Sequence, residues 1–178
     1  TLSSINPMGA ANIGAGACMA LRRHLVNDLR LFNIELGVGT AARSGEESYA
    51  FYRLICLGYR IDYDPDIVVR HVHRDNVGAV KSTLRDYSVG TFVFILHCFL
   101  RHGETHAFIA GMKWFRWHHL RQLFAGLRRR KNAQPLDLTF AEIGGCFYAP
   151  LAYLRSRLND RDEYPPVDRS VEQEAGVS

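Results

Sequence analysis

The sequence predicts an α/β domain followed by amphipathic helices. Stretches with apolar residues at helical spacing alternate with short β-rich stretches in the first half, and the last third is helical and basic. The chain has 178 residues, of which 47% are hydrophobic and 22% charged. This length and composition are typical of one globular domain with appendages.

The first half is predicted to contain two helices and two strands. A small-residue segment, residues 8–20, runs into a short helix, and a second helix spans Ser44 to Leu57. Ser44 is a suitable N-cap, Glu47 follows three residues later as in a capping box, and Gly58 stands where the helix should stop. The stretches "YRIDY" and "IVVRHVH" flank the turn "DPD" and predict two short strands.

The second half is predicted to be helical. The three expected helices are residues 80–103, 107–130 and 138–158. The first should soften at Gly90, and the last should kink or break at Pro150. The tail 159–178 is charged and contains prolines, so we expect it to be disordered.

Composition also limits the setting. The four cysteines are widely spaced without a CxxC pair, which favours a reduced, cytoplasmic environment. The longest apolar run, residues 89–100, is shorter than the roughly 20 residues that a spanning helix needs. The chain begins without Met and without a signal-peptide pattern, as though a further segment preceded it.

Four residues between 46 and 73 could carry chemistry. Glu47 at the first turn of a helix suits a capping box, and it equally suits a general base exposed to a cleft. His71 and His73 alternate across a strand, so at most one of them is expected to bind a metal. Glu46, beside Glu47, is the fourth.

The order of "GAGACMALRR", "LFNIELGVGT" and "SGEESYAFYRLICLGYRIDYDPDIVVRHVHR" resembles the second half of the catalytic domain of family 2 glycosyltransferases. These are inverting enzymes with the GT-A fold, a Rossmann-type domain that uses a nucleotide-diphospho-sugar donor. The resemblance covers about residues 10–90. It implies the acceptor-side part of such a domain over residues 1–103, followed by membrane-apposed helices over 104–158.

The resemblance also implies roles for individual residues. Glu47 stands where the family has its Asp general base, and Glu46 stands at the neighbouring acidic position, where it could contact the acceptor. His71 occupies the place of a histidine that in some members binds the divalent cation, Mg²⁺ or Mn²⁺, on the donor diphosphate. Arg74 is a weaker candidate for the diphosphate itself. Tyr87 and Gly90 resemble a segment near the acceptor.

The resemblance leaves the donor side unaccounted for. The family's nucleotide-binding strands and its DxD-like metal motif have no counterpart, since the Asp-x-Asp at 62–64 reads as turn chemistry. We therefore expect this chain to be a fragment that is inactive alone and that is completed by an N-terminal half or a partner chain. The whole enzyme would transfer a sugar to a glycan or lipid-linked acceptor in cell-envelope synthesis.

The basic helices suggest a surface partner. Residues 105–136 carry seven Lys or Arg residues and no acid, interleaved with Trp114 and Trp117. This composition favours a helix at an anionic membrane surface, which would place the protein at the cytoplasmic face of the membrane, although packing against the domain fits equally well. A non-catalytic membrane-binding module is the alternative function. Nucleic-acid binding and a metallohydrolase built on "HVH" lack a supporting motif.

Overall fold

The computed structural model describes residues 9–10, 13–14, 16–28, 31–70 and 76–159. In chain order, their regular elements are α1 Arg23–Asp28, α2 Glu46–Cys56, α3 Val77–His102, α4 Thr105–Trp114, a π-helix Phe115–Leu120, α5 Arg121–Leu127 and α6 Leu136–Asn159. The chain divides into two compact units. Unit 1 comprises Thr1–Ile34, Glu46–Val72 and Arg161–Ser178, and unit 2 comprises Glu35–Gly45 and His73–Asp160.

The predicted α/β fold, the second half of a GT-A-like Rossmann-type domain, is wrong. The described residues contain helices and no strand. The first predicted strand and the start of the second, residues 59–70, are irregular around a turn at Pro65 and Asp66. A strand needs a neighbour to supply ladder hydrogen bonds, and the described part of the chain offers none. Apolar side chains here stay exposed: Tyr63 by 85% and Val68 by 78%.

The turn within this segment is confirmed. The Asp66 backbone N–H donates to Asp64 Oδ1 at 3.0 Å, as expected of an aspartate that closes a tight turn. The end of the second predicted strand and the tail beyond Asn159 lie outside the described residues.

Unit 1 is built around a small core between α1 and α2. Leu25 and Leu31 pack with Ala50 and Leu54, and partly buried apolar side chains extend this cluster. Because α1 has only six residues, it is too short to be stable without such packing.

The second helix, α2, begins at Glu46 and not at the predicted cap. The Ser44 hydroxyl donates to the backbone carbonyl of Asp86 at 3.1 Å. The predicted stop at Gly58 is confirmed, since Gly58 has a φ of 73°. The Tyr59 N–H donates to the Leu54 carbonyl at 2.9 Å, which closes the helix with a left-handed glycine cap.

The long helix of unit 2, α3, runs without interruption through Gly90. A Cβ at Gly90 would lie 1.9 Å from Ser44 Oγ and 2.4 Å from the Ser44 carbonyl oxygen. The glycine is therefore required for close approach of the 35–45 segment and does not soften the helix. Asn76 caps its first turn by accepting from the Ala79 N–H at 2.7 Å, and Gly103 ends it with a φ of 67°.

Unit 2 is held together by α6 lying along α3. The buried positions of α6 follow the i, i+3, i+4, i+7 spacing of a packed helical seam; they are Thr139, Glu142, Gly145, Cys146, Ala149, Ala152, Tyr153 and Ser156. A Cβ at Gly145 would lie 2.6 Å from the Arg85 carbonyl oxygen, so the two helices approach closely at this point. Pro150 lies inside α6, which continues to Asn159 without the predicted break.

The helix predicted over residues 107–130 is divided into α4, the π-helix and α5. All three lie in unit 2 together with α3, so the boundary predicted at residue 103 falls inside one compact unit. No helix among the described residues is long and apolar enough to cross a membrane.

Candidate functional site

Among the described residues, each unit contains a set of residues that can carry chemistry. The first is the Glu47 edge, which comprises Gly14, Gly16, Glu46 and Glu47. A Cβ at Gly16 would lie 3.7 Å from the Glu47 Cβ, and a Cβ at Gly14 would lie 3.9 Å from Phe51 Cζ. Since residues 47 and 51 share a helix face, the glycine segment runs along the first turns of α2.

The Glu47 carboxylate is available for chemistry. It is half-buried in the first turn of α2 and makes no hydrogen bond or ion pair with any described residue. The predicted capping box is therefore absent here. Glu46, also half-buried, is in the same turn.

The other predicted site residues lie in unit 2 or outside the described residues. His71, His73 and Arg74 lie outside the described residues. Tyr87 is 60% exposed on α3, and Gly90 is buried against Ser44. Whether Glu47 and His71 share one site stays a prediction.

The second set is the His118–Glu142 cluster, which comprises His118, His119 and Glu142. His118 Nε2 lies 3.8 Å from Glu142 Oε1, and His119 Nδ1 lies 3.7 Å from Glu142 Oε2. One nitrogen or oxygen of each side chain lies within 4.8 Å of the others, so these three residues could hold a metal ion.

The π-helix accounts for the two consecutive histidines that face one glutamate. Successive side chains of an α-helix point roughly 100° apart, and the wider turn of a π-helix reduces this angle. His118 and His119 lie within Phe115–Leu120, and their ring centroids are 4.9 Å apart. Single π-turns inside α-helices are frequent at functional sites.

Aromatic rings fix the orientation of both histidines. The Trp114 indole stacks on the His118 ring with centroids 5.6 Å apart and an interplanar angle of 9°. Trp114 also meets the His119 ring edge to face at 4.9 Å, as does Phe115 at 5.5 Å. The histidine rings therefore have little freedom to turn away from Glu142.

Neighbouring polar groups determine the charge of the cluster. Burial alone would raise the pKa of Glu142, but His119, Gln134 and His118 outweigh burial and lower it, so the carboxylate is ionised. Gln134 Nε2 donates to Glu142 Oε2 at 2.9 Å. Burial raises the pKa of Cys146 to about 12, which keeps its thiol neutral 3.3 Å from His119 Nε2.

The cluster is closed on one side and open on the other. The side chains of His119 and Glu142 are 0% and 7% exposed, whereas that of His118 is 39% exposed and borders solvent. Cys146 also contributes to an apolar cavity of about 140 Å³ lined by Phe92, Ile95 and Met112, among others.

Sequence reasoning missed this cluster. The adjacent histidines were assigned to an amphipathic helix, and Glu142 was assigned no role. A signal was present, because Glu142 and Cys146 are four residues apart and so share a face of α6. The two histidines contact this face only because the π-helix packs against α6, and the residues involved are more than twenty positions apart in the sequence.

No family model, curated protein or solved structure matches the chain.

Proposed function

We propose that this chain contributes the acceptor-activating residues of an inverting glycosyltransferase, with Glu47 as the general base. The observation that carries the proposal is the Glu47 edge itself. Gly16 and Glu47 belong to separate segments of the resemblance, and in unit 1 the glycine backbone borders the Glu47 side chain.

Glu47 has the properties that a general base requires. Its carboxylate is half-buried and has no described partner that would have to be displaced when an acceptor hydroxyl binds. In the reaction, the carboxylate takes the hydroxyl proton as the acceptor oxygen bonds to the anomeric carbon. The bond from that carbon to the diphosphate oxygen breaks, and the nucleoside diphosphate leaves with the electron pair.

In this proposal Glu47 is the residue that accepts the proton. His71 and Arg74, predicted for the divalent cation and the diphosphate, lie outside the described residues. The neighbouring carboxylate of Glu46 is on the same helical turn and is proposed to contact the acceptor.

The test is substitution of Glu47 in the native-length protein, defined by its intact mass and N-terminal sequence. A panel of UDP- and GDP-sugars would be offered with a membrane lipid extract as acceptor, and release of the nucleoside diphosphate would be followed. Glu47→Gln should lower kcat about 10²- to 10⁴-fold, the usual contribution of a general base, without changing the KM for the donor. Glu47→Asp should retain part of the activity.

A matched control separates chemistry from folding. Asp66→Asn removes an exposed carboxylate of the same unit and should leave kcat unchanged. Wild-type turnover by Glu47→Gln would overturn the assignment of the base, and absence of turnover with every donor would overturn the transferase proposal.

Unit 2 supports a second candidate function, peripheral binding to the cytoplasmic face of an anionic membrane. The supporting observation is the exposure of large apolar side chains among basic ones. Trp117 is 64% exposed and adjoins Arg116, whose guanidinium lies 5.7 Å from the indole centroid. The exposed face of α6 carries a further apolar stripe, which consists of Phe140, Phe147, Leu151, Leu154 and Leu158. Tryptophan and arginine together are typical of helices in a lipid headgroup layer.

Vesicle sedimentation tests this function. Vesicles of phosphatidylcholine with phosphatidylglycerol should bind the chain in a salt-sensitive manner, and phosphatidylcholine alone should bind it weakly. Trp117→Ser should weaken binding about tenfold, while Tyr63→Ser, at an exposed aromatic of unit 1, should not. Binding to duplex DNA but not to vesicles at equal salt would contradict the membrane function.

A further inference from the structure

We propose that His118, His119 and Glu142 form a binding site for a zinc-class divalent metal ion. This site is distinct from the Glu47 edge and does not depend on the glycosyl transfer proposed for it. Two of its three side chains are more than nine-tenths buried, and the third borders solvent.

The separations between the ligand atoms favour a metal over a hydrogen bond or a bridging water. At 3.7 and 3.8 Å, the nitrogen-to-oxygen pairs are too far apart for direct hydrogen bonds. A water accepting and donating at tetrahedral angles would hold its two partners roughly 4.6 Å apart. A tetrahedral Zn²⁺ with bonds of about 2.0–2.1 Å separates its ligands by roughly 3.4 Å. The two observed pairs, which use different oxygens of Glu142, lie closer to the metal value, and one ligand atom from each of the three residues lies within 4.8 Å of the others.

The buried Nδ1 atom of His119 lacks a hydrogen-bond partner, and a bound metal ion would provide one. Nε2 lies 3.3 Å from Cys146 Sγ, while Nδ1 is buried and has no hydrogen-bond partner. Nδ1 faces the Glu142 carboxylate at 3.7 Å without a hydrogen bond between them. A cation bound by both residues would give Nδ1 a partner and neutralise the buried carboxylate.

The donor set selects the class of metal. Two imidazoles and one carboxylate suit Zn²⁺, Cu²⁺, Ni²⁺ and Co²⁺, whereas Ca²⁺ and Mg²⁺ require mostly oxygen ligands. Three protein ligands leave a fourth tetrahedral position open, as in zinc sites that also bind water or a substrate. That position would lie toward solvent, on the side of the half-exposed His118.

The surroundings supply the outer contacts that metal sites use. Gln134 Nε2 donates to Glu142 Oε2 and orients the carboxylate. The backbone N–H of Gln134 donates to Gln122 Oε1 at 3.4 Å. Cys146 Sγ contacts the ring nitrogen of His119 that the metal would not use. Such contacts fix the geometry of the ligands and raise metal affinity.

The experiment is titration of the chelator-treated 178-residue chain with Co²⁺ and Zn²⁺. Co²⁺ should give the intense visible absorption of a tetrahedral ion, without a sulfur charge-transfer band because Cys146 is not a ligand. Zn²⁺ should displace it at one ion per chain. Glu142→Gln and His118→Ala should each weaken Zn²⁺ binding by about 100-fold or more, and Gln134→Ala by about 10-fold.

His106→Ala is the control, because His106 is an exposed histidine of α4 outside the cluster, and it should bind Zn²⁺ as the wild type does. Equal Zn²⁺ affinity in the wild type, Glu142→Gln and His118→Ala would overturn the site, as would absence of the tetrahedral Co²⁺ spectrum. If Glu142→Gln fails to fold, His118→Ala still decides the outcome, because that side chain is half-exposed and its removal leaves the seam of α3 and α6 intact.

Discussion

Glu47 and Glu142 are both helical glutamates, but their surroundings differ in nearly every respect. Glu47 is in the first turn of α2, half-buried, beside a glycine segment and without a described polar partner. Glu142 is in the second turn of α6, buried, and faces two histidines and a glutamine. An open carboxylate can accept a proton from a visiting molecule, whereas an enclosed, ionised carboxylate is suited to hold a cation.

The two sites also differ in whether the sequence predicts them. The order of short motifs along the chain predicts a site at Glu47, although the described residues contain no strand around it. The His118–Glu142 cluster has no motif, and it depends on the π-helix and on α6 lying along α3. A site made by packing is visible only in three dimensions.

Cysteine labelling should show the largest difference between the two regions. Cys18 is exposed near Gly16, whereas Cys146 is buried beside His119 with its pKa raised to about 12 by burial. Since only the thiolate reacts, Cys146 should be alkylated about 10³-fold more slowly than an ordinary exposed thiol at about pH 8. Iodoacetamide labelling followed by peptide mass spectrometry measures both rates.

The same labelling in denaturant provides the control, because all four cysteines should then react alike. Rapid native labelling of Cys146 would contradict the closed character of the cluster. Rapid labelling of Cys18 alone would sharpen the contrast between an open edge in unit 1 and an enclosed site in unit 2.

Helices were predictable from the sequence where their signals are local. Gly58 and Gly103 end α2 and α3 as expected, since a left-handed glycine is specified by a single residue. The start of α2 was not predictable, because the Ser44 hydroxyl bonds to the distant Asp86 carbonyl. The π-helix was also missed, because apolar spacing alone predicts a continuous helix over 107–130.

Strands were harder to predict than helices, because a strand is stable only when another strand, which can be distant in the sequence, pairs with it. Residues 59–70 have the composition of strands, but the described chain supplies no neighbour to pair with them. The proposed base was predicted from the order of the motifs. The His118–Glu142 cluster was not predicted, because His119 and Glu142 meet only through tertiary packing.

Two adjacent glycines of α6 give the next largest effect, and they test whether unit 2 depends on the seam with α3. A Cβ at Gly145 would lie 2.6 Å from the Arg85 carbonyl, whereas a Cβ at Gly144 would meet nothing within 4 Å. Gly145→Ala should lower the free energy of unfolding by about 1–3 kcal/mol. Gly144→Ala should raise it by about 0.5–1 kcal/mol, because alanine favours a helix.

Urea unfolding followed by circular dichroism measures both changes. The two variants make the same substitution one position apart, so they differ in packing and not in helix propensity. Equal shifts in the two variants would show that α6 does not approach α3 closely, and the basis of the cluster would then fail.

Alkaline pH should give the smallest effect, and it again contrasts an enclosed side chain with an open one. Burial raises the pKa of Tyr153, and the negative charge of Glu35 adds to this effect, while Arg157 and Arg101 oppose it without cancelling it. The folded state therefore holds this proton more tightly than the unfolded state, whose tyrosines titrate near pH 10. The associated stability is fully present below about pH 10 and is lost as pH rises toward the folded pKa, by at most about 1.4 kcal/mol per pH unit.

The measurement compares urea midpoints of the wild type and Tyr153→Phe at neutral and alkaline pH. The stability of the wild type relative to Tyr153→Phe should fall above about pH 10, since the variant lacks this titration while all other groups titrate in both proteins. Tyr63→Phe is the matched control, because Tyr63 is 85% exposed and its removal should leave the pH dependence unchanged. A parallel pH dependence in the wild type and Tyr153→Phe would mean that Tyr153 is solvated, and the interior of unit 2 would then be as open as the 59–70 segment of unit 1.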